Sequence, residues 1–413
     1  MRWSGMIAIA LLLLASAARA QQVQDWQVCQ DKERTTLGNH VRGCTAIIRS
    51  DRTSSKDKAV AYNNRGNVLR DRGELDRAIA DFDAAIRLDP KSADSHINRG
   101  IARYRRGDLD RAIADYDEAI RLEPDDAYAY NDRGLALRAK GDLDRAIADH
   151  DHAIRLDPDG GSVYTNRGLD WEDKGDLDRA IADFDSAVRL NSNDALAYNN
   201  RALAWQAKGD LVRAVADYGE AIRSDPQFAS AYSNRAKAWE KRGDFSRAIA
   251  DTRELIRLDP TSAAAYFQRG RLLLFSGQLP SALADLNTAN ELAPNDAYVA
   301  LWLDIVGQRN RLVNRLADAT KQVDMSKWPA PIIHLYLGES SPEAVLAAAD
   351  DPNPRTRDRQ ICEANFYGGE LALQRDAKGE ATRQLRFAAT HCPKAFFESI
   401  AANVELKTLG APP

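Results

Sequence analysis

From residue 59 onward, apolar and polar positions follow a helical beat that restarts at a fixed distance. In GDLDRAIADYDEAIRLEP (107–124), Ala112, Ile113, Tyr116, Ala119 and Ile120 fall three and four apart, on one face of a helix. Gly107 stands before that stripe, where a left-handed residue ends one helix, and Asp108 is placed to cap the next. Pro124 lacks an amide hydrogen and stops the second helix. Nearly the same string recurs at 73–90 and 141–158, and aligning Gly73, Gly107, Gly141, Gly175, Gly209, Gly243 and Gly277 gives a period of 34 residues without slip. One such unit cannot bury its own stripe. The pattern therefore predicts a solenoid of stacked antiparallel helix pairs.

In this register the repeats begin at Ala59, Ala93, Ala127, Gly161, Ala195, Ala229 and Ala263. The eighth place is always small (Gly66, Gly100, Gly134, Gly168, Ala202, Ala236, Gly270), and the twentieth is always alanine. Proline closes every repeat except the one begun at Gly161, where Ser192 takes its place. Over 59–296 the register resembles the tetratricopeptide repeat (TPR). The resemblance implies an all-α, right-handed TPR superhelix whose first helices line a concave, partner-binding face.

Arginine fills the seventh place (Arg65, Arg99, Arg133, Arg167, Arg201, Arg235, Arg269), and aspartate the twenty-third (Asp81, Asp115, Asp149, Asp183, Asp217, Asp251, Asp285). These places flank the packing stripe, where a paired charge is tolerated and an unpaired one is costly. That favours an ion-pair ladder of the scaffold over a ligand-binding ladder. Trp171, Trp205 and Trp239 recur at the eleventh place, where other repeats carry leucine, and read as core.

The ends differ from the array. Residues 21–58 read as a degenerate helical hairpin with Cys29 and Cys44 at its ninth and twenty-fourth places, opposed across a turn near the sixteenth. A disulfide there stabilises an end unit by roughly 3 kcal/mol. Beyond Pro294, in residues 297–413, the period dissolves into an irregular helical block. It begins with a helix whose apolar face holds Val299, Trp302, Leu303 and Val306, and it closes with a hairpin that opposes Cys362 to Cys392. The ALWL helix, WP…LYLGE…PEAVL, CEANFYGGELAL and the last F-x-E…EL helix resemble bacterial TPR envelope adaptors of the NlpI type. That resemblance implies a groove that holds an envelope protease or peptidoglycan hydrolase.

The N-terminus adds a compartment. Arg2, the apolar run Met6–Leu14 and Ala18-Arg19-Ala20 form an export signal over 1–20. The run is short for a bilayer span, and no cysteine follows the cut, so no membrane anchor is expected and the chain reads as periplasmic or secreted. Two local cysteine pairs with no odd thiol suit such a compartment.

Chemistry is sparse by comparison. A formal charge of −4 with mixed signs disfavours nucleic acid. The six histidines do not cluster. His150 and His152 point to different sides of a helix and cannot share a metal, and His150 takes the place of Phe82, Tyr116 and Phe184, a packed ring. No enzyme, no cofactor and no metal site is expected.

The outward places of the first helices are the second, fifth, ninth and twelfth, and the groove residues expected among them are Asn63, Asn67, Arg70, Asn131, Leu135, Leu169, Asn199, Leu203, Lys237, Glu240, Phe267 and Arg271. This mixture suits an extended peptide or a helix laid in a groove. The function expected is an exported adaptor for protein or peptide clients of the cell envelope. The alternative is an architectural interaction protein with no role in turnover. A homodimer stays open.

Overall fold

A computed structural model describes residues 21, 23–30, 36–312, 316–394 and 396–412. The segment read as an export signal lies outside the described residues. Among those described there are helices and no strand. The chain separates into two compact lobes, 1–192 and 193–413, and the division falls at Ser192, where the closing proline is missing.

The N-terminal lobe holds α1 (23–30), α2 (Leu37–Arg49) and four helix pairs: α3 (Ser55–Asp71) with α4 (Leu75–Leu88), α5 (Ala93–Arg106) with α6 (Leu109–Leu122), α7 (Ala127–Lys140) with α8 (Leu143–Leu156), and α9 (Gly161–Asp173) with α10 (Leu177–Leu190). In the C-terminal lobe come α11 (Ala195–Ala207) with α12 (Leu211–Ser224), α13 (Ala229–Lys241) with α14 (Phe245–Leu258), and α15 (Ala263–Phe275) with α16 (Leu279–Leu292). The irregular block follows as α17 (Ala297–Arg309), α18 (Leu316–Ala319), α19 (Ala330–Tyr336), α20 (Pro342–Ala348), α21 (Pro354–Gln374), α22 (Lys378–His391) and α23 (Phe397–Thr408).

The punctuation works largely as the sequence implies. Gly107, at φ +87°, ends α5 in the left-handed region, and its amide donates to the carbonyl of Tyr104. Asp142, Asp176, Asp210 and Asp244 cap the second helices of their repeats. Asp108 does not. Its carboxylate stands between Arg106 and Arg111, each 3.2 Å away, and makes no capping hydrogen bond to the helix. The close approach of paired helices rests on the eighth place, since a β carbon on Gly100 would sit 2.7 Å from the ring of buried Tyr116.

Charges lace the N-terminal lobe together. Arg99 donates to Asp115 of its own repeat (2.6 Å) and to Asp83 of the preceding one (2.7 Å). Arg133 holds Asp149 and Asp117 in the same way, and Arg167 holds Asp183 and Asp151. The hydrogen bond to Asp149 pushes the Arg133 guanidinium above its ordinary pKa. In the C-terminal lobe Arg235 and Arg269 hold Asp251 and Asp285, both at 2.6 Å, but Gly219 and Arg253 stand where the second acid would be.

The tryptophans of the eleventh place are not core in the sense expected. All three are half-buried, with Arg179, Arg213 and Arg247 lying 3.7, 3.5 and 4.6 Å from the ring centres of Trp171, Trp205 and Trp239. A guanidinium over an exposed indole face covers it while staying hydrated at its rim.

One apolar core runs from Ala248 through Leu406, so the last repeats and the irregular block are packed as a single body. α17 is enclosed on more than its expected face: Ala300, Leu301 and Ile305 are buried beside Val299, Trp302 and Val306, while Leu303 is half-buried. In the last hairpin a β carbon on Gly369 would lie 2.8 Å from Leu385, the same small-against-large contact as in the repeats. Disulfides join Cys29 to Cys44 and Cys362 to Cys392, with Cα atoms 4.7 and 5.5 Å apart.

Candidate partner-binding groove

The fifth and sixth places of the first helices carry amides that bond from one repeat to the next. Asn98 donates to Asn63 (3.1 Å) and accepts from Arg70 (2.9 Å). Asn166 donates to Asn131 (2.8 Å), and Asn234 to Asn199 (3.1 Å). Asn63, Arg70, Asn131 and Asn199 are therefore partly engaged in holding neighbouring repeats. Asn67 is half-buried, with its Oδ1 free of a hydrogen bond.

Asn199 and Glu240, expected on open surface, are buried at 6% and 7% exposure. Helical period places them on the groove side, but the neighbouring first helices close over them. Leu135, Leu169 and Leu203 are half-buried, and Leu203 packs against the cluster of Ala202, Tyr218 and Ala238. Leu203→Ser should therefore cost about 1 kcal/mol, since roughly half of a leucine's burial is lost. A chemical denaturation curve on the variant checks this. The most open apolar side chains of the first helices lie at the second place, also expected to face outward, where Tyr128 is 76% and Leu196 60% exposed. Their signal was present in the register, since large apolar residues there have no packing role.

Asp132 breaks the amide pattern: Asn64, Asn98, Asn166, Asn200 and Asn234 hold the sixth place in other repeats. The preceding repeat offers Ile97 at the fifth place, so no acceptor awaits an amide, and Asp132 instead accepts from Asn131 (3.2 Å). Burial raises its carboxyl to about 6. The folded state thus holds a proton that the unfolded chain has released, and stability falls as pH rises from about 4 through about 6. Asp132→Asn should be more stable above that window by about 1–2 kcal/mol, allowing for partial exposure, and should lose the decline. Melting temperatures across the pH range test both.

His150 is a packed ring, as its place implies, but it also has a partner that the sequence reading missed. Its Nδ1 donates to Asp170 Oδ2 at 2.6 Å, and both side chains are fully buried. Burial raises the Asp170 carboxyl, opposed by the hydrogen bond from His150. The clue was a pair of singular residues, at the twenty-fourth place of one repeat and the tenth of the next. Cys29, His40 and Cys44 bring ligand atoms within 4.8 Å of one another, but both sulfurs are spent in the disulfide.

The C-terminal lobe opens into a cavity of about 800 Å³ whose walls include Ser233, Lys237, Glu240, Phe267, Arg271 and Phe397. Lys237 is exposed, Phe267 and Arg271 are half-buried. Phe267, Arg271 and Phe397 also border a second cavity of about 320 Å³. There buried Glu363 accepts from Tyr298 (2.8 Å), Trp328 (2.5 Å) and Arg359 (2.7 Å). The irregular block thus supplies a rigid wall beside the last repeat's first helix.

An uninterrupted 34-residue register, a constant small eighth place and an inter-helix ion ladder define a repeat scaffold. The chain belongs to the tetratricopeptide repeat family, whose model matches residues 46–93, 63–122, 97–161, 165–227, 207–263 and 234–297. Its fold is the all-α repeat solenoid of that family, a scaffold for protein–protein contact. Among solved structures it is similar to a tetratricopeptide repeat protein from Parabacteroides merdae, at 21% identity over 61% of this chain and 98% of that one, with a TM-score of 0.44. It is also similar to pilF of Pseudomonas aeruginosa, at 22% identity over 54% and 99% of the two chains, with a TM-score of 0.46. No curated protein matches the sequence. No helix among the described residues is long and apolar enough to cross a membrane.

Proposed function

We propose that this chain is an exported, non-enzymatic adaptor whose repeat groove holds a peptide or protein client of the cell envelope. In this reading it recruits an envelope protease or peptidoglycan hydrolase to that client. The observation that carries the binding role is the 800 Å³ cavity of the C-terminal lobe, where hydroxyl, amide, ammonium and aromatic groups line one open space. Such a mixture serves an extended backbone with alternating side-chain pockets. The export pattern of residues 1–20 and two disulfides support the compartment. The likeness of residues 297–408 to envelope adaptors supports the recruiting role.

Affinity capture from an envelope fraction tests it, with the Lys237→Glu variant as control. Recovery of a serine protease or endopeptidase with the wild type, and its loss with the variant, is the expected result. Recovery of envelope structural proteins alone would favour the architectural alternative. Retention of the signal segment on the mature chain, seen by N-terminal sequencing, would remove the export step.

A further inference from the structure

This inference rests on the groove reading and names the chemistry that the groove takes. The ladder arginines and Arg309 each reach a carboxylate at 2.5–2.7 Å. Arg271 has no carboxylate within ion-pair distance among the described residues. Its guanidinium lies instead over Phe397 (3.8 Å to the ring centre) and Phe267 (4.6 Å), with Nε buried and free of any hydrogen bond. The two rings fix the plane of the guanidinium, but they give its N–H donors no acceptor.

Two further groups on the same cavity wall are incomplete. Lys237 occupies the ninth place one repeat earlier, the same place as Arg271, and it is exposed with no carboxylate partner among the described residues. Glu240 is 7% exposed and lies near enough to Arg271 and Lys237 to feel both charges, with Gln268 hydrogen-bonding its carboxylate, yet its Oε2 has no hydrogen-bond partner. A buried acceptor left unmade is costly unless a ligand completes it.

Each group asks for a different part of one molecule. Arg271 and Lys237 call for carboxylates, and Arg271 presents a planar fork that suits one bidentately. Glu240 calls for an N–H. An extended acidic peptide offers both, with carboxylates on its side chains and an amide hydrogen on its backbone. Equivalent places on neighbouring packed helices lie roughly 10 Å apart, which an extended chain covers in about three residues. We propose that this groove binds an extended acidic segment of a partner protein. One acidic side chain pairs with Arg271 and a second, about three residues away, pairs with Lys237, while a backbone amide of the segment donates to Glu240.

The test uses the full chain and an array of acetylated, amidated decapeptides in an alanine–leucine background. Each peptide carries two glutamates at a varied separation, or two glutamines in the same places, and binding is read by fluorescence anisotropy. The glutamate peptides with a separation of three should bind best, and their glutamine counterparts about tenfold or more weakly. Arg271→Gln should weaken the glutamate peptides by about tenfold and leave the glutamine peptides unchanged. Lys237→Gln should weaken them by about threefold or more, and its exposure makes loss of folding no explanation.

Thermal melts accompany each variant, and if Arg271→Gln melts early the Lys237→Gln result decides. Equal binding of glutamate and glutamine peptides, or unchanged binding by both variants, overturns the acidic segment and leaves the groove reading standing. Binding by no peptide of either kind overturns both.

Discussion

Replacing Asp115 with alanine is expected to destabilise the N-terminal lobe by about 3–5 kcal/mol, the cost of leaving buried charge unpaired. Asp115 is 2% exposed and accepts from Arg99 at 2.6 Å and Arg103 at 2.8 Å. Without it Arg99 retains Asp83 of the preceding repeat, but Arg103 keeps only a distant contact to that same aspartate, at 4.0 Å. Two guanidinium groups would then share one half-exposed acid. Asp83→Ala is the matched control: its side chain is 36% exposed, and its loss should cost about 1 kcal/mol or less. Urea denaturation of the two variants beside wild type gives the comparison. Equal small losses would show that the ladder contributes little to stability.

Trp302→Ala should be as damaging to the C-terminal lobe, at about 3–5 kcal/mol. The indole is 1% exposed, stacks on Phe366 (5.7 Å between ring centres) and meets Phe397 (5.5 Å) and Tyr367 (6.2 Å) edge-on. Its Nε1 also donates to the Tyr367 hydroxyl at 2.9 Å, which would be left buried without that donor. Phe397 is the ring beneath Arg271, so the variant should loosen the groove wall as well as the core. Trp302→Phe retains most of the ring contacts and should lose about half as much. Denaturation followed by near-ultraviolet circular dichroism would show whether the aromatic cluster melts first. Wild-type stability in Trp302→Ala would mean that the irregular block does not depend on this core.

The scaffold was legible because each of its rules repeats. Gly100 against Tyr116, Arg99 to Asp115 and the left-handed Gly107 each recur at fixed places, and repetition separates a structural demand from chance. The pairing of the cysteines was legible for a related reason, since a hairpin turn opposes residues at countable places. What the sequence concealed were contacts between unlike places of adjacent repeats. Asn131 looked like open groove because its own helix leaves it outward, yet Asn166 of the next repeat bonds to it. His150 and Asp170 each occur once at their places, so no period announced their bond. Burial of Asn199 and Glu240 depends on the bulk of neighbouring side chains, which a period of one helix does not encode. The groove wall was hidden most deeply, because Phe397 reaches Arg271 from far along the chain and from outside the array.

The gaps in the ion ladder divide the array mechanically. In the N-terminal lobe each seventh-place arginine after the first clasps two successive repeats, so opening one of them strips a cation from its neighbour. Gly219 and Arg253 remove that clasp around α13 and α15, where Arg235 and Arg269 grip only their own repeats. Those repeats can part from one another with every salt bridge intact, so they should breathe singly while the N-terminal repeats open together. Amide hydrogen exchange would register this as graded protection around α13 and α15 and a shared opening rate through α5–α10. The cavity sits where the stack can yield, and a guest lying across both helices would replace the missing clasp with itself.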